Sequence, residues 1–412
     1  LDQDELEWLE AHYALDHLSR AEMYKLALHG VLPKKFLRFQ HSSPFCASCA
    51  FGQAHRRQWR HKGKKSGSIR SPNDNAFGVR VSIDQMISAQ PGLVPQCGGS
   101  LTRARIHCIT LFVDHFSTKC FGFCQRSTTA EETLAAKLAF EKNAHGSGIK
   151  ILSYHGDNGR FAEQAFKTTC AEADQSLTLC GVGAHHQNGI AEKAIRDTTK
   201  SARKMLLHAK IRWPSAIDLS LWPYAMWYAV YIFNHAPVCD GKSRIEIFSN
   251  TSVGTSLKTF HTFGCPVFAL NNELASGKSL PRWSPRARLG INLGPSPSHA
   301  RNVNLVLNLN NGLGSPQFDC KFDDFFETTR FNQAEASTTA PWRKLASLKT
   351  EKARVTQPAL SVCEVPIEYG SDLPSEAPTT SNTNSPSSNQ ASNDVSIKDP
   401  SNHLPTENEG AS

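Results

Sequence analysis

The spacing of apolar and polar residues changes along the chain, and each change marks an element. Over residues 79–84, Val79, Val81 and Ile83 alternate with Arg80, Ser82 and Asp84, the two-residue period of a half-buried strand. Residues 106–113 form a nearly continuous apolar run of buried-strand length, and residues 119–125 set Phe121 and Phe123 against smaller neighbours. Three strands in succession predict a meander. The period then lengthens. A helix is predicted from Thr129 to about Asn143, capped by Ser127 or Thr128, then a strand from Ile149 to about His155 and a helix from Ala162 to Ala173. A short strand over residues 177–182, the loop AHHQNG and a long helix from about Ile190 to Ala209 complete the order βββαβαβα.

That is the element order of the RNase H-like fold, an α/β sheet whose active site lies at strand ends and one following helix. This core is assigned to residues 75–245. A helical stretch over residues 7–28 and a CASC turn fill residues 1–55, too short for a large core and in need of a staple such as a metal. Residues 56–74 read as a basic linker, with Arg56, Arg57, Arg60, Lys62, Lys64, Lys65 and Arg70 around a lone Trp59. Residues 258–330 place glycines and Pro266 between short apolar runs such as VFAL and VNLVLNL, the pattern of a small β module. From residue 331 Ser, Thr, Asn and Pro dominate, so a disordered tail is predicted over residues 331–412.

Composition adds three expectations. Lys and Arg exceed Asp and Glu by 45 to 37, a formal charge of +8 that favours a polyanionic partner, with nucleic acid the leading candidate. No run approaches the ~18 apolar residues that cross a bilayer, and the acidic opening LDQDELEWLE does not resemble a signal peptide, so an intracellular protein without membrane association is expected. The 12 cysteines are mostly single and set in apolar runs, which fits a reducing compartment; only Cys46 and Cys49 form a tight pair. A first residue of Leu suggests a piece of a longer product.

Two constellations carry chemistry. His12 and His17, five apart, precede Cys46 and Cys49, and two imidazoles with two thiolates are a tetrahedral zinc set; His29 and His41 are alternative ligands. The second set is Asp84 on the polar face at a strand end, Asp157 in the turn GDNG after a strand, and Glu192 in the first turn of the long helix. In an RNase H-like sheet these places converge. Three carboxylates meeting there would repel unless cations neutralised them, and hard oxygen donors suit Mg²⁺ or Mn²⁺ and phosphoryl transfer. Asp114 is equally acidic but follows the second strand of the meander, where a turn or capping role fits. Lys193, Arg196, Lys200, Arg203 and Lys204 on the long helix, with Gln187 and Asn188 in the loop before it and Arg56, Arg57, Arg60, Lys64 and Lys65 in the linker, are candidate DNA contacts. Residues 213–233, rich in Trp and Tyr at spacings of three and four, read as a packing helix rather than a base-stacking platform.

HYALDH with CASC resembles the zinc-binding segment that precedes copia-type integrases. VSIDQ, FVDHFS, HGDNGRF and HHQNGIAEKAIR resemble the successive blocks of the integrase core. WPYAMWYAVYIFN, FGCPVFAL, WSPRARLGINLG and GSPQFDCKFDDFFET resemble the blocks that follow it in these retrotransposon polyproteins, ending in a small β-barrel. The separation of 35 positions from Asp157 to Glu192 matches the family's gap, while HGDNGRF departs from relatives that have Ser before Asp and a second Gly. The resemblance implies an integrase that joins element DNA ends to double-stranded target DNA. Asp84, Asp157 and Glu192 would bind Mg²⁺ or Mn²⁺, and His12, His17, Cys46 and Cys49 would bind Zn²⁺. It also implies a homo-oligomer and residence in a cytoplasmic particle and the nucleus. The alternatives are a non-catalytic nucleic-acid-binding remnant of such an element and a plain RNase H-type nuclease.

Overall fold

Two capping boxes open the chain. The Asp2 carboxylate accepts from the Glu5 amide while the Glu5 carboxylate accepts from the Asp2 amide, starting α1 (Gln3–Ala14), and Ser19 with Glu22 repeats the exchange at α2 (Arg20–Leu28). The helical stretch expected over residues 7–28 is therefore broken in two. Asp16 and His17 make the break with φ of 58° and 53°, the left-handed region that stops a helix, and the His17 amide reaches back to the His12 carbonyl at 2.7 Å. A third short helix, α3 (Ala47–Gln53), follows directly on Cys46.

The computed structural model describes residues 1–54, 76–95, 102–181, 185–239, 241–252, 259–300 and 302–331, all within one compact unit. The basic linker and the tail expected beyond residue 331 lie outside them. In the middle of the chain β1 (Val81–Leu93), β2 (Arg105–Asp114) and β3 (Cys120–Gln125) form the antiparallel meander. Then come α4 (Ala130–Gly146), β4 (Ser153–Gly156), α5 (Gln164–Glu172), β5 (Ser176–Leu179) and the long α6 (Gly189–Arg212). The predicted order βββαβαβα is found, and the strands lie side by side as β3-β2-β1-β4-β5, with β1, β4 and β5 parallel.

Two local expectations need correction. The N-cap of α4 is Thr129, not Ser127 or Thr128; the Glu132 carboxylate accepts instead from the Arg126 and Ser127 amides. Asp84 does not end its strand, because β1 continues to Leu93 against β2 through an irregularity between Ile87 and Gly92. What stops at this level is β4. The far end of β1 is held by Trp222, whose Nε1 donates to the Gln90 carbonyl at 2.8 Å, and Gly92 allows that approach, since a Cβ there would meet Pro223 at 2.3 Å.

The aromatic stretch forms α7 (Trp222–His235), which buries Trp222, Tyr224 and Tyr228 as a packing helix. The hairpin β6 (Pro237–Cys239) and β7 (Lys242–Ser243) leads to α8 (Arg244–Ser249). The β module contains β8 (Pro266–Leu270), β9 (Ala287–Pro295), β10 (Asn304–Asn308), β11 (Gly314–Gln317) and β12 (Cys320–Phe322), ordered β11-β10-β9-β8-β12. Among the described residues its outer strands do not pair, so the expected barrel is an open antiparallel sheet.

The central sheet buries both faces. On one, Val81, Ile83, Phe112, Phe140, Tyr154 and Phe166 pack as a cluster with α4 and α5. On the other, apolar contact runs from Trp8, Met23 and Phe36 through Ile109, Leu111, Met205 and Tyr228 to Val267, Ile291 and Phe326. The N-terminal helices and the β module thus share one core with α6 and α7. A segment of about fifty residues buries too little apolar surface alone, and this shared face supplies the remainder.

Candidate metal centres and active site

Strand register brings the first two carboxylates together. In the parallel ladder Val81 faces Tyr154 and Ser82 faces His155, so two residues further on Asp84 stands level with Asp157. On the next strand Gly156 faces Leu179, which sets Cys180 level with Asp157, and the Cys180 amide donates to the Gly156 carbonyl at 3.0 Å. Level residues of parallel strands point to one face of the sheet. It is the face opposite the one that Val81, Ile83 and Tyr154 fill.

Glu192 joins them from the start of α6. Asn188 sets that helix in place: it is buried, and its Nδ2 donates to the Ile83 carbonyl, one residue before Asp84, at 2.9 Å. The Gln187 side chain accepts from the Gly181 amide at 2.9 Å, and the Gln187 carbonyl lies 3.3 Å from His155 Nε2. The helix dipole favours a carboxylate in this first turn. The thiol of Cys180 reports the convergence, because burial raises its pKa and the charges of Asp157, Glu192 and Asp84 all raise it further. Asp84, Asp157 and Glu192 are each half-buried. Solvent and a ligand can reach them.

The His/Cys cluster is built differently. His12 lies in the last turn of α1, His17 is carried in by the left-handed turn, and Cys46 and Cys49 lie at the start of α3. Their ligand atoms all fall within 4.8 Å of one another, and among the described residues no other such cluster occurs. Cys46 Sγ is 3.4 Å from His17 Nδ1, and Cys49 Sγ is 3.4 Å from His12 Nε2 and 3.6 Å from His17 Nδ1. Tetrahedral zinc with ordinary Zn–S and Zn–N bonds separates sulfur and nitrogen by about 3.6 Å, so the donor set fits that ion. Protonation fits as well. Burial pushes the His17 imidazole down to about 3, which keeps it neutral. Cys46 is held below the ordinary thiol range chiefly by the hydrogen bond from Cys49, with His12, His17 and His208 adding to it, whereas the same bond pushes Cys49 up. Binding a cation releases the thiol protons to solvent, which makes affinity pH-dependent. His12 Nδ1 lies 2.9 Å from the Leu18 carbonyl, the outer hydrogen bond that leaves Nε2 to the metal. His29 and His41, the alternative ligands, are not in the cluster.

The other expected site residues divide. Lys193, Arg196, Lys200 and Arg203 are exposed on α6, and Lys193 and Lys200 line a cavity of about 1190 Å³ together with Lys25, Arg80 and Asp197. Asn188 and Lys204 are not surface contacts. Asn188 is committed to β1, and Lys204 is buried with Nζ donating to the carbonyls of Asp16 and His17. Arg56, Arg57, Arg60, Lys64 and Lys65 lie outside the described residues. Asp114 takes the turn role expected of it, accepting from the Gly78 amide and from the amide and hydroxyl of Ser117. Cys180 and His208 escaped the sequence reading, which makes Lys204 a candidate DNA contact, although Ala202, Met205, Leu206 and Ala209 mark the buried stripe to which Lys204 and His208 belong.

No protein-family model matches the chain. Among solved structures it is similar to the HTLV-2 integrase catalytic core domain in complex with magnesium, at 20% identity and a TM-score of 0.30, over 42% of this chain and 97% of that one. It is also similar to the catalytic core domain of BIV integrase, at 16% identity and a TM-score of 0.30, over 42% and 95%. A simian T-cell lymphotropic virus intasome in complex with PP2A regulatory subunit B56 gamma overlaps 74% of this chain and 98% of its own, at 16% identity and a TM-score of 0.34.

Proposed function

We propose that the chain is the integrase region of a copia-type retrotransposon polyprotein, an enzyme that joins the 3′ ends of element DNA to target DNA. The observation that carries this reading is the register of the parallel strands. Extended two residues past the Ser82–His155 pair, it supports a meeting of Asp84 and Asp157 near the helix start that bears Glu192. Two carboxylates on one sheet face with a third on the adjoining helix, all reachable from solvent, suit divalent cations. Two Mg²⁺ or Mn²⁺ ions there would activate an attacking oxygen and neutralise the departing one. Asp84 would serve both ions, Asp157 one and Glu192 the other. Lys193, Arg196 and Lys200 on α6 would hold phosphates of the DNA, and His12, His17, Cys46 and Cys49 would hold a structural Zn²⁺. A homo-oligomer acting first in a cytoplasmic particle and then in the nucleus belongs to the same reading. Among the described residues no helix is long and apolar enough to cross a membrane.

The test is a strand-transfer assay with the full chain, labelled duplexes carrying element ends, and Mn²⁺ or Mg²⁺, beside Asp157→Asn and Glu192→Gln. Joined products that disappear in both variants are expected. Cleavage without joining would point to an RNase H-type nuclease, and metal-independent DNA binding without new products to a non-catalytic remnant.

A further inference from the structure

The His/Cys cluster does not rest on the N-terminal helices alone. Lys204 and His208, one turn apart on α6, both reach it from the helix that bears Glu192 in its first turn. Lys204 is buried, and its Nζ donates to the main-chain carbonyls of Asp16 at 3.0 Å and His17 at 2.9 Å, the two residues of the left-handed turn that presents a ligand. Its stem is covered by α3 at Gly52, where a Cβ would meet Lys204 Cγ at 3.0 Å. His208 is buried in a nest formed by Tyr13, at 4.2 Å between ring centroids, His17 at 4.9 Å and Phe326 at 5.5 Å. Cys46 lies close to its ring. Its Nε2 is buried with no hydrogen-bond partner. An unpaired polar atom in an apolar nest is costly unless a partner is at hand, and an imidazole N–H needs an acceptor. The thiolate that Cys46 becomes on binding a metal is such an acceptor.

We infer that α6 is part of the metal centre: His208 is a positioning residue that donates to the Cys46 sulfur, Lys204 fixes the Asp16–His17 turn, and metal occupancy and the seating of the catalytic helix are one equilibrium. The inference rests on the metal reading of His12, His17, Cys46 and Cys49. A hydrogen bond to a coordinating thiolate withdraws charge from it and stabilises the bound state, the usual work of an outer-shell partner. Because binding and seating are linked, whatever loosens one loosens the other by the same factor.

Cobalt substitution of the full chain tests it, because Co²⁺ reports both geometry and sulfur basicity. His208→Phe keeps the ring packing and removes the donor. It is expected to retain the tetrahedral d–d bands, shift the sulfur-to-cobalt charge-transfer band to lower energy, and speed metal loss to a chelator by roughly 10–100-fold. His208→Asn, which restores a donor, should recover most of both effects. Lys204→Met should speed metal loss without moving the charge-transfer band. In the wild type, stripping the metal should raise amide exchange over residues 200–212 and leave β2 unchanged. A wild-type charge-transfer band and chelation rate in His208→Phe, or α6 exchange indifferent to metal, would overturn the inference while leaving the metal reading intact. A wild-type chain that takes up neither Zn²⁺ nor Co²⁺ would overturn both. Should His208→Phe not fold, unaltered chelation kinetics in Lys204→Met would overturn the inference equally.

Discussion

The two acidic and sulfur-bearing centres of this chain differ in how much the fold has done in advance. At the His/Cys cluster four donors already stand within 4.8 Å, buried or half-buried, with the Leu18 carbonyl holding the ring of His12. At the carboxylate edge Asp84 and Asp157 from the sheet and Glu192 from α6 share a common field at Cys180, yet they do not form so tight a set. A closed, pre-assembled set suits a structural ion, and a looser, solvent-reachable one suits ions about 3.5–4 Å apart that must also accept a substrate. Tightness costs freedom to exchange ligands; openness costs stability. The same helix serves both centres, Glu192 at one end and Lys204 with His208 nearer the other.

If that contrast holds, damage at the two centres separates into stability and activity. Cys49→Ser has the largest expected effect on the fold. Structural zinc contributes on the order of 10 kcal/mol to small domains, and the shared core spreads its loss, so the thermal midpoint should fall by roughly 10 °C with loss of bound zinc. Scanning calorimetry with metal analysis measures both. A variant that melts like the wild type would erase the contrast. Asp157→Asn should do the reverse, lowering joining by at least about 10³-fold while moving the midpoint by less than ~2 °C, since it relieves repulsion among like charges.

Much of this could be read before the fold was known. The alternation of Val79, Val81 and Ile83 with Ser82 and Asp84 assigned Asp84 to the polar face, and local periodicity is the physics that orders such a strand. The spacing of His12, His17, Cys46 and Cys49 was equally legible, because two ligand pairs each sit within one short stretch of backbone. Cys180 opposite Asp157 was not, since register between strands is decided by tertiary packing rather than by any local period. Lys204 and Asn188 were misplaced for a related reason. A charged or amide side chain signals solvent by default, and only the carbonyls of Asp16, His17 and Ile83 give these two a buried destination. The open β module shows the same limit: alternation marks strands without stating whether the outer ones meet.

A buried cation remote from both centres gives the contrast a control. Lys119 donates to Asn143 Oδ1 at 2.8 Å and lies 4.0 Å from the Phe248 ring, and burial lowers its pKa from 10.5 to about 8. Between pH 8 and 10.5 the unfolded chain therefore binds more protons than the folded one, so this group makes stability rise with pH, by about 3 kcal/mol across the window. Lys119→Met should abolish that rise, as read by denaturant unfolding at pH 7.5 and 10. An unchanged slope would mean that the ammonium is hydrated, and zinc content and joining activity should be untouched in either case.

The smallest expected effect concerns the exposed face of α6, and it decides whether the helix shared by the two centres also touches DNA. Lys193 and Lys200 are seven residues apart, two turns, and both are exposed beside the same cavity. A phosphate contact releases condensed counterions, so each lysine that makes one contributes roughly 0.9 to the slope of log affinity against log salt. Lys200→Ala and Lys193→Ala should each lower that slope by about 1 and weaken binding uniformly across sequences, and the double variant should lower it by about 2. Arg196 is a less decisive probe, because its Nε already lies 3.7 Å from Asp197 and part of its charge is spent there. Slopes unchanged in the double variant would assign these lysines to a solvated face, and the DNA path would then have to avoid α6 beyond its first turn, leaving Glu192 as the helix's sole contact with the reaction and the rest of its length to packing and the His/Cys cluster.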